Sequence, residues 1–306
     1  MTQPNNFGFG EEAALLKESA RKLLTDNFPV DKLHGMVATD PNPERMPECV
    51  WDRELWQQMV DLGWTMLAVP ESAGGIGMPV VAVAGLVEEV GRAACPCPLL
   101  ATLSASYVLA AAGAGGEAAL AEIAEGRAAT LALTNRKGSW SVGDTEVECV
   151  DGKLNGTAWF VQDAAKVDRL LVAARSGAGV SLYWVAADSA GVSVDADAIV
   201  DLTRDQAHIS FDNVPAEPVC NNGLAAINEA MPAIWTLLAA DMVGAAEWQL
   251  QTTVEYVSQR QQFDHPQGFF QAVKHPLVTV MIQIDESKSL VYSAACSIDT
   301  EPGRAL

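Results

Sequence analysis

A long, nearly uninterrupted apolar segment, from about Ala230 to Arg260, constrains this chain more than any other feature. It ends in the polar sequence Arg260-Gln-Gln-Phe263-Asp-His-Pro-Gln-Gly, and a second helical pattern starts at Phe270. Because proline and glycine interrupt helices, this pattern predicts two buried helices that are joined by a polar elbow.

The elbow has the residue types needed to hold an anionic, aromatic ligand. The guanidinium of Arg260 can pair with a diphosphate, Phe263 offers a ring face, and the amide of Gln271 can bind a purine edge. The same residue types are common at ordinary helical turns, so their spacing alone also allows a surface arginine, a core phenylalanine and a capping glutamine.

The charge balance limits the possible partners. The 306 residues include 19 Lys and Arg against 39 Asp and Glu, which gives a formal net charge of −20. Nucleic acid binding needs clustered positive charge, so this class of function is excluded. We find no apolar run of transmembrane length and no signal peptide, and the sequence therefore predicts a cytoplasmic protein that does not enter a membrane.

The cysteine and histidine patterns do not favour a metal site. The segment Cys95-Pro-Cys97 lacks C-x-x-C spacing, and none of the four histidines is paired at a ligand interval. The sequence predicts no metal, and reduced, mostly buried thiols. The six cysteines are Cys49, Cys95, Cys97, Cys149, Cys220 and Cys296.

Hydrophobic periodicity divides the chain into three parts. Helical spacing predicts helices at residues 11–27, 51–62, 80–94 and 99–112, with a proline-rich loop at 40–47. From about Thr130 the segments become short and β-rich, and Leu154-Asn155-Gly156 is typical of a hairpin turn. The predicted domains are a helical domain at 1–127, a β-barrel or sandwich domain at 128–222 and a second helical domain at 223–306.

The elbow resembles the R-x-x-F-G-x-x-x-x-x-F-Q-x-x-x-H element of the flavin-dependent acyl-CoA dehydrogenases. One position departs from this element, because Asp264 stands where the family has glycine. Other segments resemble the family as well, so the resemblance spans almost the entire chain. The elements in register are Arg260, Phe263, Phe270, Gln271 and His275, Leu62-Gly63-Trp64, Val69-Pro70-Glu71, Gly74-Gly75-Ile76-Gly77, Glu88-Glu89-Val-Gly91-Arg92, Asp201-Leu-Thr-Arg204 and Val214-Pro215.

This resemblance implies an α+β fold with N-terminal helices, a middle β-domain and a C-terminal helical domain that is shortened, since relatives continue beyond Leu306. It implies α,β-dehydrogenation of an acyl-CoA thioester with FAD, and electrons that leave through an electron-transfer flavoprotein. In the family the elbow lies across a subunit interface and holds the diphosphate and adenine of an FAD whose flavin sits in the neighbouring subunit. Arg260, Phe263 and Gln271 are the implied contacts, and the chain is expected to form an oligomer.

The flavin-facing positions depart from the family pattern. The family's T-E-P-x-x-G-S-D reads here as Thr134-Asn-Arg-Lys-Gly-Ser139-Trp140, without the acidic residues, and its W/F-I-T reads as Phe160-Val-Gln162. Thr134, Ser139, Phe160 and Gln162 are therefore candidate flavin contacts in a weakened site. An intact elbow beside a degraded flavin site favours the smaller subunit of an α2β2 hetero-oligomer that serves the FAD of a larger partner.

Asp241 is the candidate catalytic base. It is the one acid in the apolar stretch 237–246, and a carboxylate among apolar side chains suits proton abstraction, although it could equally form hydrogen bonds at a helix interface. In one branch of the family the catalytic glutamate aligns with Ile234, seven residues earlier on the same helix face. In the other branch it lies in a C-terminal region that this chain does not have.

Two other functions remain open at this point. The chain could be a non-catalytic acyl-CoA-binding or scaffolding subunit in which Asp241 is structural. It could also be a self-sufficient homodimeric flavoenzyme with relaxed motifs, such as a thioester desulfinase or an oxidase.

Overall fold

The computed structural model describes residues 6–37, 50–139, 141–177, 179–216 and 218–301. The predicted loop at 40–47, Cys49 and Trp140 lie outside these ranges. The chain forms two compact units, of which one comprises Met1–Val30, Pro79–Cys95 and Trp235–Leu306 and the other Asp31–Met78 and Pro96–Ile234. The domain boundaries at 127 and 222 stay a prediction.

The chain order is a set of helices, then strands, then two long helices, which confirms the α+β class expected from the sequence. The helices are α1 Glu11–Asn27, α2 Val30–Val37, α3 Arg53–Asp61, α4 Val80–Arg92, α5 Leu99–Ala111, α6 Glu117–Ala124, α7 Gly223–Gln259 and α8 Gln271–Thr300. The strands of the main sheet are β1 Ala129–Ala132, β2 Glu148–Val150, β3 Lys153–Gln162, β4 Arg169–Ser176, β5 Gly179–Ala186, β6 Val192–Ala196, β7 Gln206–Pro215 and β8 Pro218–Cys220.

The main sheet has the order β6-β7-β3-β2-β4-β5-β8, and β1 pairs with β4 in parallel. Alternate residues of these strands point into one core because side chains in a strand alternate between faces. The buried side chains of this core include Leu154, Leu170, Tyr183, Ile209 and Phe211. The β-rich texture that starts near Thr130 therefore marks one hydrophobic core.

The predicted hairpin turn at Asn155-Gly156 is wrong. Both residues lie inside β3, and the turn between β2 and β3 is made by Asp151 and Gly152, whose φ angles are 51° and 72°. Gly156 has a φ of 116°, and a Cβ there would overlap the backbone oxygen of Glu146. The glycine thus marks a register shift in the β3–β7 ladder, since only glycine fits the close approach of a second backbone segment.

The unit that comprises residues 1–30, 79–95 and 235–306 consists mainly of helices, and we call it the helical unit. Its central helix is α4, which packs against α1 and α8. Its residues from Val80 to Gly91 are buried, as the apolar sequence predicts. A Cβ at Gly91 would overlap the backbone oxygen of Asp241, and a Cβ at Gly244 would overlap the backbone oxygen of Glu88. The two glycines therefore allow the backbones of α4 and α7 to touch, and we call this contact the glycine crossing.

Helix α7 begins at Gly223, earlier than the apolar segment suggests, and contains Pro232. By length and composition it could cross a bilayer, contrary to the prediction that the chain has no apolar run of this length, but 56% of its most apolar stretch is buried inside the protein. Such burial is typical of a helix in a protein core. The five described cysteines are buried or half-buried, as expected.

The start of α4 is stabilised from a distant part of the chain. Pro79 precedes the helix and supplies no side-chain cap, whereas Asp299 in α8 accepts hydrogen bonds from the backbone N–H groups of Val80 (2.7 Å) and Val81 (3.1 Å). Burial raises the pKa of Asp299, although the two hydrogen bonds act in the opposite direction. The last turn of α8 is thereby tied to the first turn of α4.

Replacing Asp299 by alanine should lower the free energy of unfolding by about 1–2 kcal/mol, because two buried N–H groups lose their acceptor. Urea denaturation followed by circular dichroism measures this loss. The matched control is Asp285→Ala, an exposed carboxylate on the same helix, which should change stability by less than about 0.5 kcal/mol. Equal losses in the two variants would show that the cap contributes nothing.

Candidate functional site

The chain between α7 and α8 forms a tight β-hairpin, which confirms the predicted break between two helices. Strand β9, Gln261–Gln262, pairs with β10, His265–Pro266, and leaves Phe263 and Asp264 as the two loop residues. Both have positive φ angles, of 53° and 61°. Two positive φ values in a two-residue loop define a type I′ turn, where asparagine and glycine are usual. Asp264 therefore stands at a position that favours the glycine of the family pattern.

The hairpin presents its key side chains to solvent. Phe263 is 84% exposed, and Arg260 and Gln271 are exposed as well. Within the described residues the guanidinium of Arg260 has no ion pair or hydrogen bond, while its backbone oxygen accepts from the N–H of Gln267 at 2.8 Å. The three predicted cofactor contacts thus lie directly before β9, in the turn of the hairpin and at the first residue of α8.

The rings around the hairpin form an aromatic cluster. Phe263 contacts Phe270 edge to face, with ring centroids 6.1 Å apart, and Phe270 contacts Phe269 in the same way at 5.7 Å. His265 stacks on Phe269 at 4.3 Å. Phe270 is half-buried, so it gives the exposed ring of Phe263 a fixed neighbour.

In the β-domain, the candidate hydroxyl groups are already used as donors. Thr134 donates its hydroxyl hydrogen to the backbone oxygen of Trp159, and Ser139 donates to the carboxylate of Asp144 at 2.8 Å. The side-chain oxygen of Asn135 accepts a hydrogen bond from the backbone N–H of Ser139 at 3.1 Å, so this turn is held by hydrogen bonds between its own residues. These hydroxyls therefore hold the local loop together and have no hydrogen left to donate to a ligand.

Phe160 and Gln162, the other two candidate flavin contacts, are exposed and half-buried, respectively. Phe160 is 44% exposed and has a φ of 53°, an uncommon backbone conformation for a bulky residue. Gln162 is half-buried, and its backbone oxygen accepts from the hydroxyl of Thr130 at 2.7 Å. Phe160 could offer a ring face to a ligand.

A buried charge cluster follows Gln162 directly. Lys166 has a fully buried side chain, pairs with Asp163 at 2.7 Å and also forms an ion pair with Asp205. Burial raises the pKa of Asp163 to about 6, against the charge of Lys166. Burial alone would lower the pKa of Lys166, but the two carboxylates raise it. The Asp163-x-x-Lys166 spacing could have predicted this pair, whereas the contribution of Asp205 is visible only in the fold.

Asp241 lies half-buried in α7, and its backbone forms part of the glycine crossing with α4 at Gly91. Ile234, which occupies the position of the catalytic glutamate in one branch of the family, is buried. The backbone of Asp241 therefore takes part in a tight helix contact, which is compatible with a structural role of this residue as well as with catalysis.

The residues fit one part of the FAD that the resemblance implies and do not fit another. The exposed and unpaired guanidinium of Arg260 and the displayed ring of Phe263 fit the diphosphate and adenine of this cofactor. The hydroxyl groups of Thr134 and Ser139 already donate to acceptors within the chain, so these two residues do not fit the polar edge of an isoalloxazine ring. The residues present therefore match the diphosphate and adenine portion of FAD and not its flavin portion.

Comparison with known proteins gives consistent similarities over most of the chain. The model of the acyl-CoA dehydrogenase N-terminal domain matches residues 10–124, and that of the C-terminal domain matches residues 221–305. Acyl-CoA dehydrogenase IpdE2 of Mycobacterium tuberculosis is 30% identical over 296 residues, which cover 96% of this chain and 79% of the relative.

Two solved structures have the same fold. A variant of the Tcur3481-Tcur3483 steroid ACAD is 30% identical, has a TM-score of 0.82, and the alignment covers 96% of this chain and 79% of that one. The ChsE4-ChsE5 complex from Mycobacterium tuberculosis is 25% identical with a TM-score of 0.81, over 97% of this chain and 80% of that one. The chain spans about four-fifths of the length of each.

Replacing Asp264 by glycine should raise the free energy of unfolding by about 0.5–1 kcal/mol, because glycine adopts the positive φ of this turn without a steric penalty. Thermal and urea denaturation measure the gain. Asp264→Ala is the matched control and should destabilise the chain, since alanine has neither freedom at positive φ nor a local hydrogen-bonding group. A gain in both variants would argue against strain as its origin.

Proposed function

Because the chain belongs to the acyl-CoA dehydrogenase family, whose members are FAD-dependent oxidoreductases, we propose that it is the smaller subunit of a heteromeric acyl-CoA dehydrogenase. In this proposal the chain lends Arg260, Phe263 and Gln271 to an FAD whose flavin lies in a larger partner subunit, and an α2β2 assembly is expected. The reaction is α,β-dehydrogenation of an acyl-CoA thioester.

One contrast carries the proposal. The arginine of the elbow is exposed and without a partner in the described chain, whereas the hydroxyls of Thr134 and Ser139 are consumed by their own loop. A chain that bound a complete FAD by itself would need free donors at both places. The difference supports a subunit that completes the cofactor site of another chain.

A large apolar surface around the elbow supports a protein partner. We call residues 251–283 the arm; in α7 from Gln251 to Gln259, Val257 is the one buried side chain. Exposed apolar side chains that are concentrated in one part of a chain are typical of interaction sites. We propose that the larger acyl-CoA dehydrogenase subunit binds to the arm. Two similar solved structures support this, because each is named as a pair of proteins, Tcur3481-Tcur3483 and the ChsE4-ChsE5 complex. The exposed large apolar residues of the arm are Val254, Tyr256, Phe263, Phe269, Val278, Val280, Met281 and Ile282.

The residues of the elbow have separate tasks in the proposed reaction. FAD, when bound, accepts the hydride from the β-carbon of the thioester. Arg260 would hold the diphosphate through paired hydrogen bonds, Phe263 would cover one ring face, and the amide of Gln271 would bind the adenine edge. If Asp241 is catalytic, its carboxylate takes the proton from the α-carbon.

The remaining partners follow from the same proposal. An electron-transfer flavoprotein is the expected electron acceptor, and the cytoplasm is the expected compartment. One similar solved structure is named a steroid ACAD, so a bulky, apolar acyl group such as a steroid side chain is the substrate class we propose.

Cofactor content tests this function. The chain purified alone should hold far less than one FAD, and the complex with a co-expressed longer homologue should hold FAD stoichiometrically. In that complex Arg260→Met should weaken FAD binding at least about tenfold, because charge-assisted hydrogen bonds to phosphate are lost. Fluorescence titration with FAD measures this dissociation constant.

The matched control is Arg136→Met, which removes an arginine from the degraded flavin segment and should leave the dissociation constant unchanged. Stoichiometric FAD on the chain alone would contradict the shared site, and oxygen consumption by that chain would identify a self-sufficient flavoenzyme.

A scaffolding subunit is the second candidate, and it is supported by the close approach of the Asp241 backbone to Gly91, which gives this residue a packing role that does not need its carboxylate. In the reconstituted complex, Asp241→Asn should lower turnover by about 100-fold or more if the carboxylate is the base, because a positioned base contributes that much. Turnover that matches the wild type would remove Asp241 from the chemistry and support the scaffold. Glu229→Gln, at an exposed position of the same helix outside the arm, is the control and should leave turnover unchanged.

A further inference from the structure

The motif Glu88-Glu89 supplies two carboxylates that are only 1% exposed. Glu88 pairs with Lys17 of α1 at 2.7 Å and with Lys288 of α8 at 2.7 Å, and it accepts a hydrogen bond from the hydroxyl of Tyr292 at 2.6 Å. A buried carboxylate stays charged only when such partners compensate for the lost water. The helical unit therefore depends on cations from several helices.

Glu89 and Glu247 extend this network. Glu89 accepts two hydrogen bonds from the guanidinium of Arg21, at 2.9 and 2.8 Å, and lies 3.3 Å from the Nε of Arg92. Arg92 also forms an ion pair with Glu247 of α7, which lies 3.3 Å from the Nζ of Lys288. The network thus joins α1, α4, α7 and α8, and Lys288 connects α8 to both α4 and α7.

The pKa values of the groups in this network are set by burial and by their charged partners. Burial alone would raise the pKa of Glu88, but Lys17, Lys288 and Tyr292 lower it. Burial alone would lower the pKa of Lys288, but the hydrogen bond to Glu88 and the charges of Glu88 and Glu247 raise it. Burial and the charge of Glu88 raise the pKa of Tyr292. Lys288 therefore remains a cation between two carboxylates at neutral pH.

The arm lies beyond this network and has little apolar packing of its own. Lys288 is about 26 Å from the start of α8, and Glu247 is about 18 Å from the end of α7, at 1.5 Å per residue. Between these points Val257 in α7 and Ile284 in α8 are the buried large apolar side chains of the described residues, and Gly268 approaches Val257 closely. Few contacts within the arm therefore specify how far α8 is shifted along α7.

We propose that Lys288 is a positioning residue, which fixes the register of α8 on α7 and thereby the position of Arg260 relative to Gln271. Setting a register is the best attested use of buried polar pairs. A slip of one helical turn would move one side of the hairpin by about 5.4 Å, which is more than a paired hydrogen bond to a diphosphate tolerates. This inference rests on the proposed function, since it concerns the FAD of the partner subunit.

The test uses the co-expressed complex and FAD itself as the probe. Lys288→Met keeps the length of the side chain and removes its charge, and it should raise the dissociation constant for FAD at least about tenfold while the complex still assembles. Lys288→Arg should restore binding to within about threefold of the wild type, because it keeps the cation. A purely structural role would lower the melting temperature of the complex without changing this dissociation constant.

The controls separate the possible failures. Glu286→Gln, which removes an exposed charge on the same helix outside the arm, should have no effect. Glu247→Gln weakens the link to α7 while Glu88 keeps its partners, and it should reproduce the loss of FAD even if Lys288→Met does not fold. The inference would be overturned if the complex assembled and its affinity for FAD were unchanged in Glu247→Gln, and in Lys288→Met where that variant folds. An unchanged affinity for FAD in Arg260→Met would instead overturn the proposed function.

Discussion

Two adjacent carboxylates, Glu88 and Glu89, lie in α4 where water hardly reaches them, and the arrangement of the helical unit follows from their need for counter-charges. Each charge costs free energy to bury and is tolerated only when it is paired and hydrogen-bonded. The cations come from α1, from α4 itself and from α8, so the helices must meet at defined positions. A change in one helix that removed a cation would leave an uncompensated charge in the core.

The same reasoning distinguishes the two sets of residues that were predicted to contact the cofactor. A polar side chain that already has its partners within the chain contributes to folding, as Thr134 and Ser139 do. A charged side chain that is exposed and unpaired in the described chain, beside a displayed aromatic ring, is available to a ligand, as Arg260 and Phe263 are. The elbow adds backbone strain to this display, because its type I′ turn contains Phe263 and Asp264 in place of asparagine and glycine.

Sequence patterns predicted the helices well and the turns less well. The helix at 11–27 has the predicted bounds, because amphipathic periodicity is a property of the segment itself. The Asn155-Gly156 pair was misread, since the same freedom at positive φ serves a turn or a register shift inside a strand, and the neighbouring backbone of Glu146 decides between them. The short strands β2, β6 and β8 carry too few residues for a period to be visible.

The sequence by itself determined the α+β class, the break between α7 and α8, and the three residues displayed there, because apolar spacing, proline and glycine act locally along the chain. Only the tertiary structure decided which polar groups are satisfied. It joined Lys17, Glu88 and Lys288 across 271 positions of the chain, placed Asp241 against a glycine crossing, and closed the loop of Ser139 on Asp144. The partners of a buried charge come from distant segments, so no local pattern can reveal them.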